Sequence, residues 1–364
     1  MNFIRENILK IVVVFVIFMV VVIAVASCSS KPITIQEQYE TMEANLSNAA
    51  QRLVNTNKSL LPKKIEETTK VQLDTLIKNE VIKELRANED NNVLCTGYVS
   101  ITKKNDNEYV YRPYLKCGKY YETKTIAQYI LDNEPIVTEE AGLYQKGVTY
   151  VYRGENPNNY VLLDNKYYRI ISINQDKELK LISTSRYDDS IVWDDRYNSN
   201  KKRNYGINNF EKSRLKDSLE RIYYSSYFSD LSRSFIKPHD ICIGKRNYYD
   251  NDFSGKAECS VVSKDKNIGL IQVNEYLYAS IDPGCTTGQS PECGNYNYMM
   301  NISTTITTQT ACEENTHQVY KLSGGVVSAT NASSSFRVYP VIYLNSGVLY
   351  KSGNGSMNNP YILR

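Results

Sequence analysis

The sequence predicts an α+β fold: an N-terminal anchor and helices with a disulfide-bridged β-hairpin, then a larger antiparallel β-rich domain with irregular loops. Three observations carry the prediction. Apolar stripes of helical period open the chain after its leader, and a helical pattern recurs near 208–222. From residue 95 onward most segments alternate with period two, and strands do not alternate regularly with helices as a wound parallel sheet requires. Seven of the eight cysteines lie beyond the leader, at spacings too long for metal-binding pairs. With 364 residues the chain is long enough for two domains. The expected divisions are a signal or anchor segment over 1–28, a helical and hairpin region over 29–140, and a β-rich head over 141–364.

The leader comes first. Ile11 to Ala26 is a run of sixteen residues without a charge. That lies between a signal-peptide core of roughly 15 residues and the roughly 20 needed to span a bilayer. Arg5 and Lys10 precede it, which favours a cytoplasmic N-terminus and export of the rest of the chain. Val25-Ala26-Ser27-Cys28 resembles a bacterial lipobox, with valine where leucine is usual. Two anchors are therefore open: a lipid on Cys28 after cleavage, or an uncleaved spanning helix. Both place the chain at a bacterial cell membrane, on its extracytoplasmic face. A processed type IV pilin is disfavoured, because no glycine precedes the run.

Beyond Pro32, Ile35, Tyr39, Met42, Leu46, Ala49 and Leu53 recur at steps of three and four. They predict one helix, lying on the next domain rather than forming a coiled-coil stalk, and ended by Pro62. A second helix is expected over 71–85, with Leu73, Leu76, Ile77 and Val81 on one face. The next stretch is "CTGYVSITKKNDNEYVYRPYLKCG". A turn centred on Asp106 makes facing position numbers sum to 212, which sets Cys95 opposite Cys117. Gly97, Val99 and Ile101 then share the cysteine face with Tyr109, Tyr111, Pro113 and Leu115, the pattern of a hairpin with one buried side. This register predicts a Cys95–Cys117 disulfide.

From Gly147 a β-meander is expected over 148–152, 160–163, 167–173 and 179–182, with a turn at Asp164-Asn165. A helix near 208–222 would bury Leu215, Leu219 and Ile222. Strands are expected again at 269–273 and 338–344, and a closing hairpin turns at Gly353-Asn354-Gly355.

"CTGYVSITKK…YVYRPYLKCG" with its preceding helix resembles a pilin-like module in uncharacterised surface proteins of AT-rich anaerobic bacteria. "TYVYRGENPNNYVLLDNKYYRIISIN", "IGLIQVNEYLYA" and "RVYPVIYLNSGVLYKSGNGSMNNPYIL" are similar to a domain of unknown function in such proteins, with Tyr168 where that family often carries Trp. Its layout resembles C-type-lectin-like folds. The resemblance implies surface exposure and binding. It also pairs Cys285 with Cys293, through "CTTGQSPECGNYNY", and leaves Cys242 and Cys259 to bracket a loop, with Cys312 over.

The chemistry-bearing residues point away from catalysis. Asp250, Asp252 and Gly255 begin like an EF-hand loop, but its twelfth position is Val261 rather than the bidentate Glu. Asp188-Asp189 and Asp194-Asp195 flank the sole tryptophan, Trp193, and adjacent acids on a loop are usually solvated surface. The two histidines, His239 and His317, fit no triad, and Cys312 with His317 is a chance proximity. No nucleotide-binding glycine motif occurs. No metal and no cofactor are expected. Net charge is only +3, and the Lys201-Lys202-Arg203 run reads as a solvated loop, so no nucleic acid is expected. The 31 tyrosines suit a recognition surface, although codon bias of an AT-rich genome accounts for most of them.

The expected function is a membrane-anchored, surface-exposed binding or adhesion protein without catalytic activity. Its partners would be the membrane, through the leader or the Cys28 lipid, and an extracellular glycan or protein. The alternative is a minor component of a pilus-like or envelope assembly.

Overall fold

The computed structural model describes residues 33–187 and 191–364. The expected 1–28 anchor, with Cys28, lies outside them. The fold is α+β, in two compact units divided between Thr123 and Lys124 rather than at residue 140. The boundary moves because helix Ile126–Asn133 carries Ile126, Ala127 and Ile130 into the later core. Among the described residues no helix is long and apolar enough to cross a membrane.

In the N-terminal unit, helix Ile35–Thr56 starts at a capping box in which Thr34 and Glu37 satisfy each other's backbone N–H. It buries Tyr39, Leu46, Ala49, Ala50, Leu53 and Val54 against the hairpin sheet, while Ile35 stays exposed. It ends at Thr56, before Pro62, because the Asn57 side chain accepts from the Ser59 N–H and starts a 3₁₀ turn over Lys58–Leu60. Strands β1 (Thr68–Gln72), β2 (Thr96–Asn105), β3 (Glu108–Cys117) and β4 (Tyr121–Glu122) form one sheet in that order. The hairpin register is the expected one: pairs from Thr96↔Lys116 to Lys103↔Tyr109 all sum to 212. Val99, Ile101 and Leu115 are buried on the cysteine face, and Cys95–Cys117 is bridged with Cα atoms 4.1 Å apart.

The second helix is a correction. Thr68–Gln72 is a strand, paired from Thr68↔Thr102 to Gln72↔Tyr98, and only Leu73–Lys78 is helical. Edge pairing with β2 satisfies backbone groups that a longer helix would have used. Glu80 adopts φ 57°, and the Val81 N–H returns to the Leu76 carbonyl, closing the helix by a left-handed cap. Buried Glu43 accepts hydrogen bonds from the Tyr121 and Thr123 hydroxyls, tying the helix to the end of the sheet.

The C-terminal unit is built on an eight-stranded sheet. β5 (Gly142–Lys146), unforeseen from sequence, pairs with β6 (Thr149–Arg153). β7 (Tyr160–Leu163), β8 (Lys166–Ile173) and β9 (Leu179–Ser183) come next, as expected. β8 pairs with β6, β7 and β9. The β7–β8 turn is Asp164-Asn165 with φ 50° and 58°, the left-handed pair of a type I′ turn.

The remaining strands are β10 (Ile191–Val192), β11 (His239–Cys242), β12 (Lys245–Arg246), β13 (Val262–Lys266), β14 (Thr305–Cys312), β15 (Gln318–Ser323), β16 (Val326–Asn331), β17 (Ser335–Phe336), β18 (Val341–Leu344), β19 (Tyr350–Ser352) and β20 (Tyr361–Leu363). β18 joins the large sheet beside β9, and the β19–β20 hairpin completes it through parallel pairing of β20 with β7. A second sheet has the order β12-β14-β15-β16; its β15–β16 turn is Gly324-Gly325, both at positive φ.

Two further expectations change. Over 208–222 the helix is broken into a 3₁₀ turn, a short α-helix Arg214–Ser218 and a π-turn over Leu219–Tyr223. The wider π-turn rotates the buried face by one residue: Leu215, Leu219 and Tyr223 are buried, while Ile222 is exposed. Gly269 to Ile271 makes only isolated bridges, to Val341 and Thr308, and Val273 opens a helix, Val273–Ala279.

All three disulfides expected from sequence are present, Cys242–Cys259 and Cys285–Cys293 besides Cys95–Cys117, and Cys312 is free and buried. Replacing Cys95 and Cys117 by serine should cost about 3 kcal/mol, from the 22-residue separation they close, measured as a lowered urea midpoint. A second expectation concerns alkali. Burial pushes the hydroxyls of Tyr168, Tyr223, Tyr298 and Tyr361 well above the ordinary tyrosine range. Unfolded tyrosines titrate near pH ~10, so the stability these groups contribute is present below that pH and lost as pH rises beyond it. Tyrosinate absorbance should therefore appear together with loss of circular dichroism. Titration of these residues in an intact fold would refute the expectation.

Candidate functional site

The C-terminal unit contains a cavity of about 270 Å³ between the β6–β8 edge and helix Val273–Ala279. That is just below the ~300 Å³ at which typical small-molecule pockets begin. Val151, Ile171, Ala279 and the rings of Tyr152, Tyr278 and Tyr298 give it apolar walls; Lys146, Thr149, Ser172, Ser254, Asn274 and Glu275 supply polar groups.

Its geometry comes from a β-bulge. In the β8–β9 ladder Ile170 faces Leu181 and Ser172 faces Lys180, so Ile171 is the extra residue. Both Ile171 and Ser172 consequently reach the cavity. Opposite the bulge, the buried Lys180 ammonium pairs with Glu275. Burial opposes the Lys180 charge, yet Glu275 offsets it and holds the ammonium above its ordinary range. The other Glu275 oxygen accepts from the Gln272 N–H at 2.9 Å, which caps the helix start. Arg153 of β6 binds the other end, donating to the carbonyls of Tyr278 and Ser280 at 2.7 and 2.6 Å. The seven-residue helix is thus held at both ends by cations from the sheet.

Two groups in the cavity are incompletely satisfied. Lys146 Nζ donates to the Phe253 carbonyl at 3.1 Å and lies 4.1 Å from the Tyr278 ring centroid; Glu275, Asp252 and Glu258 attract it only from a distance. Burial pulls its ammonium below the usual lysine range, against the attraction of Glu275. Asn274 is 7 % exposed, and its Oδ1 has no hydrogen-bond partner. The Nδ2 end of that carboxamide lies against Gly255, where a Cβ would come within 2.5 Å; Gly255 also has φ 86°.

The residues weighed from sequence are placed elsewhere. The calcium-like loop is filled by protein: buried Arg246 donates to the Asp250 carbonyl and to Glu258, and the Asp250 and Asp252 carboxylates accept from the Asp252 and Ser254 amides. Val261 is exposed, and no cluster of His, Cys, Asp or Glu among the described residues could hold a metal. Trp193 is fully buried, donating to the Thr308 carbonyl at 3.3 Å. Asp194 pairs with Arg196 and Asp195 with Arg214; Asp188 and Asp189 lie outside the described residues. The Cys312 thiol contacts Glu314 at 2.9 Å, whereas His317 stacks on Tyr205. His239 stacks on Tyr343 and lies 3.5 Å from Glu178. The Lys201–Arg203 run is an exposed turn.

Lys146, Asn274 and Tyr278 carry no pattern that marks them in the sequence. One available signal was the Gln272-x-x-Glu275 spacing, which marks a helix start where a strand was expected. No family model, curated protein or solved structure matches the chain.

Exchanging Lys180 for alanine leaves the largely buried Glu275 without its cation and should cost up to about 3 kcal/mol in urea unfolding. Lys180→Met with Glu275→Leu should cost markedly less, which separates the penalty of an orphaned charge from the worth of the pair.

Proposed function

We propose that this chain is a membrane-anchored, extracytoplasmic binding protein of a bacterial surface, without catalytic activity, and that the C-terminal cavity is its ligand site. The observation that carries the reading is the convergence on one apolar-walled cavity of Lys146 and of Asn274, whose Oδ1 has no hydrogen-bond partner. Such concave sites with a few polar groups are where proteins take small ligands. Three disulfides suit an oxidising compartment, in keeping with the exported arrangement expected from the leader.

A non-catalytic role is supported by how the reactive groups are used. Asp194 and Asp195 are tied to arginines, and burial, with Glu314, pushes the Cys312 thiol up, away from nucleophilic reactivity. The assembly alternative is less well supported. Leu46 and Leu53, the stripe a pilus-like partner would grip, are buried inside the N-terminal unit's own core.

A thermal-shift screen of the detergent-extracted chain against small sugars, amino acids and organic acids tests the reading. One chemical class should raise the melting temperature, with about 2.7 kcal/mol of added stability at a hundredfold excess over Kd. The gain should vanish when Ala279→Trp fills the cavity. If no class shifts the melt, the cavity is not a ligand site.

A further inference from the structure

Which chemistry the cavity accepts depends on which of its polar groups are already used. Glu275 is committed at both oxygens, to Lys180 and to the Gln272 N–H. The Ser254 hydroxyl donates to Asp252 at 2.6 Å. Lys146 is different. An ammonium carries three donors, and its hydrogen bond to the Phe253 carbonyl uses one; the Tyr278 face takes up part of the charge without accepting a proton. Asn274 Oδ1 is an acceptor in want of a donor. A half-buried cation without a paired carboxylate and a buried acceptor without a donor are both costly, and one molecule could relieve both.

Resting on the reading of this cavity as a ligand site, we propose that it binds a small organic monoanion, whose carboxylate pairs with Lys146 and whose N–H or O–H group donates to Asn274 Oδ1. The lining selects a single charge. One cation free of a carboxylate and one carboxylate, Glu275, share the wall, so a phosphate dianion would meet too little positive charge and a repelling neighbour. The volume, about 270 Å³, suits one sugar acid or one acylated amino acid rather than a chain. Apolar walls at Val151, Ile171 and Ala279 leave room for a carbon skeleton between the two polar contacts.

Isothermal titration calorimetry on the full chain in detergent would use two acids, N-acetylglycine and glucuronate, against their neutral counterparts, N-acetylglycine methyl ester and glucose. At least one acid should bind, its neutral counterpart at least about tenfold more weakly, as expected for a lost charged hydrogen bond. Which acid binds identifies an amide or a hydroxyl as the donor to Asn274. Lys146→Gln should abolish the preference for the acid, and Lys146→Arg should keep it. Lys201→Gln, on the exposed turn, should change nothing. Should Lys146→Gln fail to fold, the acid-against-neutral comparison on the unaltered chain decides. Neutral probes binding as well as acids would overturn the monoanion while leaving the binding reading intact. No binding by any of the four, together with no shift across the wider screen, would overturn both.

Discussion

The C-terminal unit depends on one irregularity, the bulge at Ile171 in β8. β8 is the strand to which β6, β7 and β9 all attach, so a change of phase within it is felt across the sheet. The extra residue bends the strand and sets Ser172 opposite Lys180, and Lys180 then meets Glu275 at the start of helix Val273–Ala279. Arg153, two residues beyond the β6 position that pairs with Ser172, holds the far end of the same helix. A helix this short is not stable alone; it is held by core packing of Val273, Tyr276, Leu277 and Ala279 together with these two cations from the sheet. The cavity is what remains between bulge and helix.

Charge inside this protein is mostly satisfied in place. Buried Arg169 donates to Asn159, to the Tyr160 hydroxyl at 2.9 Å and to the Pro157 carbonyl. Arg246 and Glu258, both buried, fill the loop closed by Cys242–Cys259. Orphaned buried charges are expensive, which is why nearly all of these have several partners. Lys146, half-buried at the cavity, likewise has a carbonyl and a ring for neighbours, but it faces space that a ligand could fill.

The disulfides compensate for sparse regular structure. Between β11 and β14 the chain has one seven-residue helix, two short strands and several 3₁₀ turns, and two of the three bridges fall there. Covalent closure replaces the cooperative hydrogen bonding that a longer helix or sheet would have provided. The Cys95–Cys117 bridge instead joins strands already in register, and reinforces a hairpin that burial of Val99, Ile101 and Leu115 specifies.

By itself the sequence determined what depends on near neighbours. Alternation around Asp106 set the hairpin register and hence the first disulfide, and Asp164-Asn165 set the β7–β8 turn, because period and turn chemistry act over a few residues. The Tyr39–Leu46–Leu53 stripe set the first helix. Tertiary structure decided where competing uses of the same residues were open. Val71 has the apolar spacing of a helix but is taken by the edge of β2, and Ile222 loses its place in the core to Tyr223 through a π-turn. The cavity belongs wholly to this second class. Lys146, Ser172 and Asn274 lie far apart in the chain, and no local pattern links them; only the bulge, the sheet order and the held helix bring them to one wall.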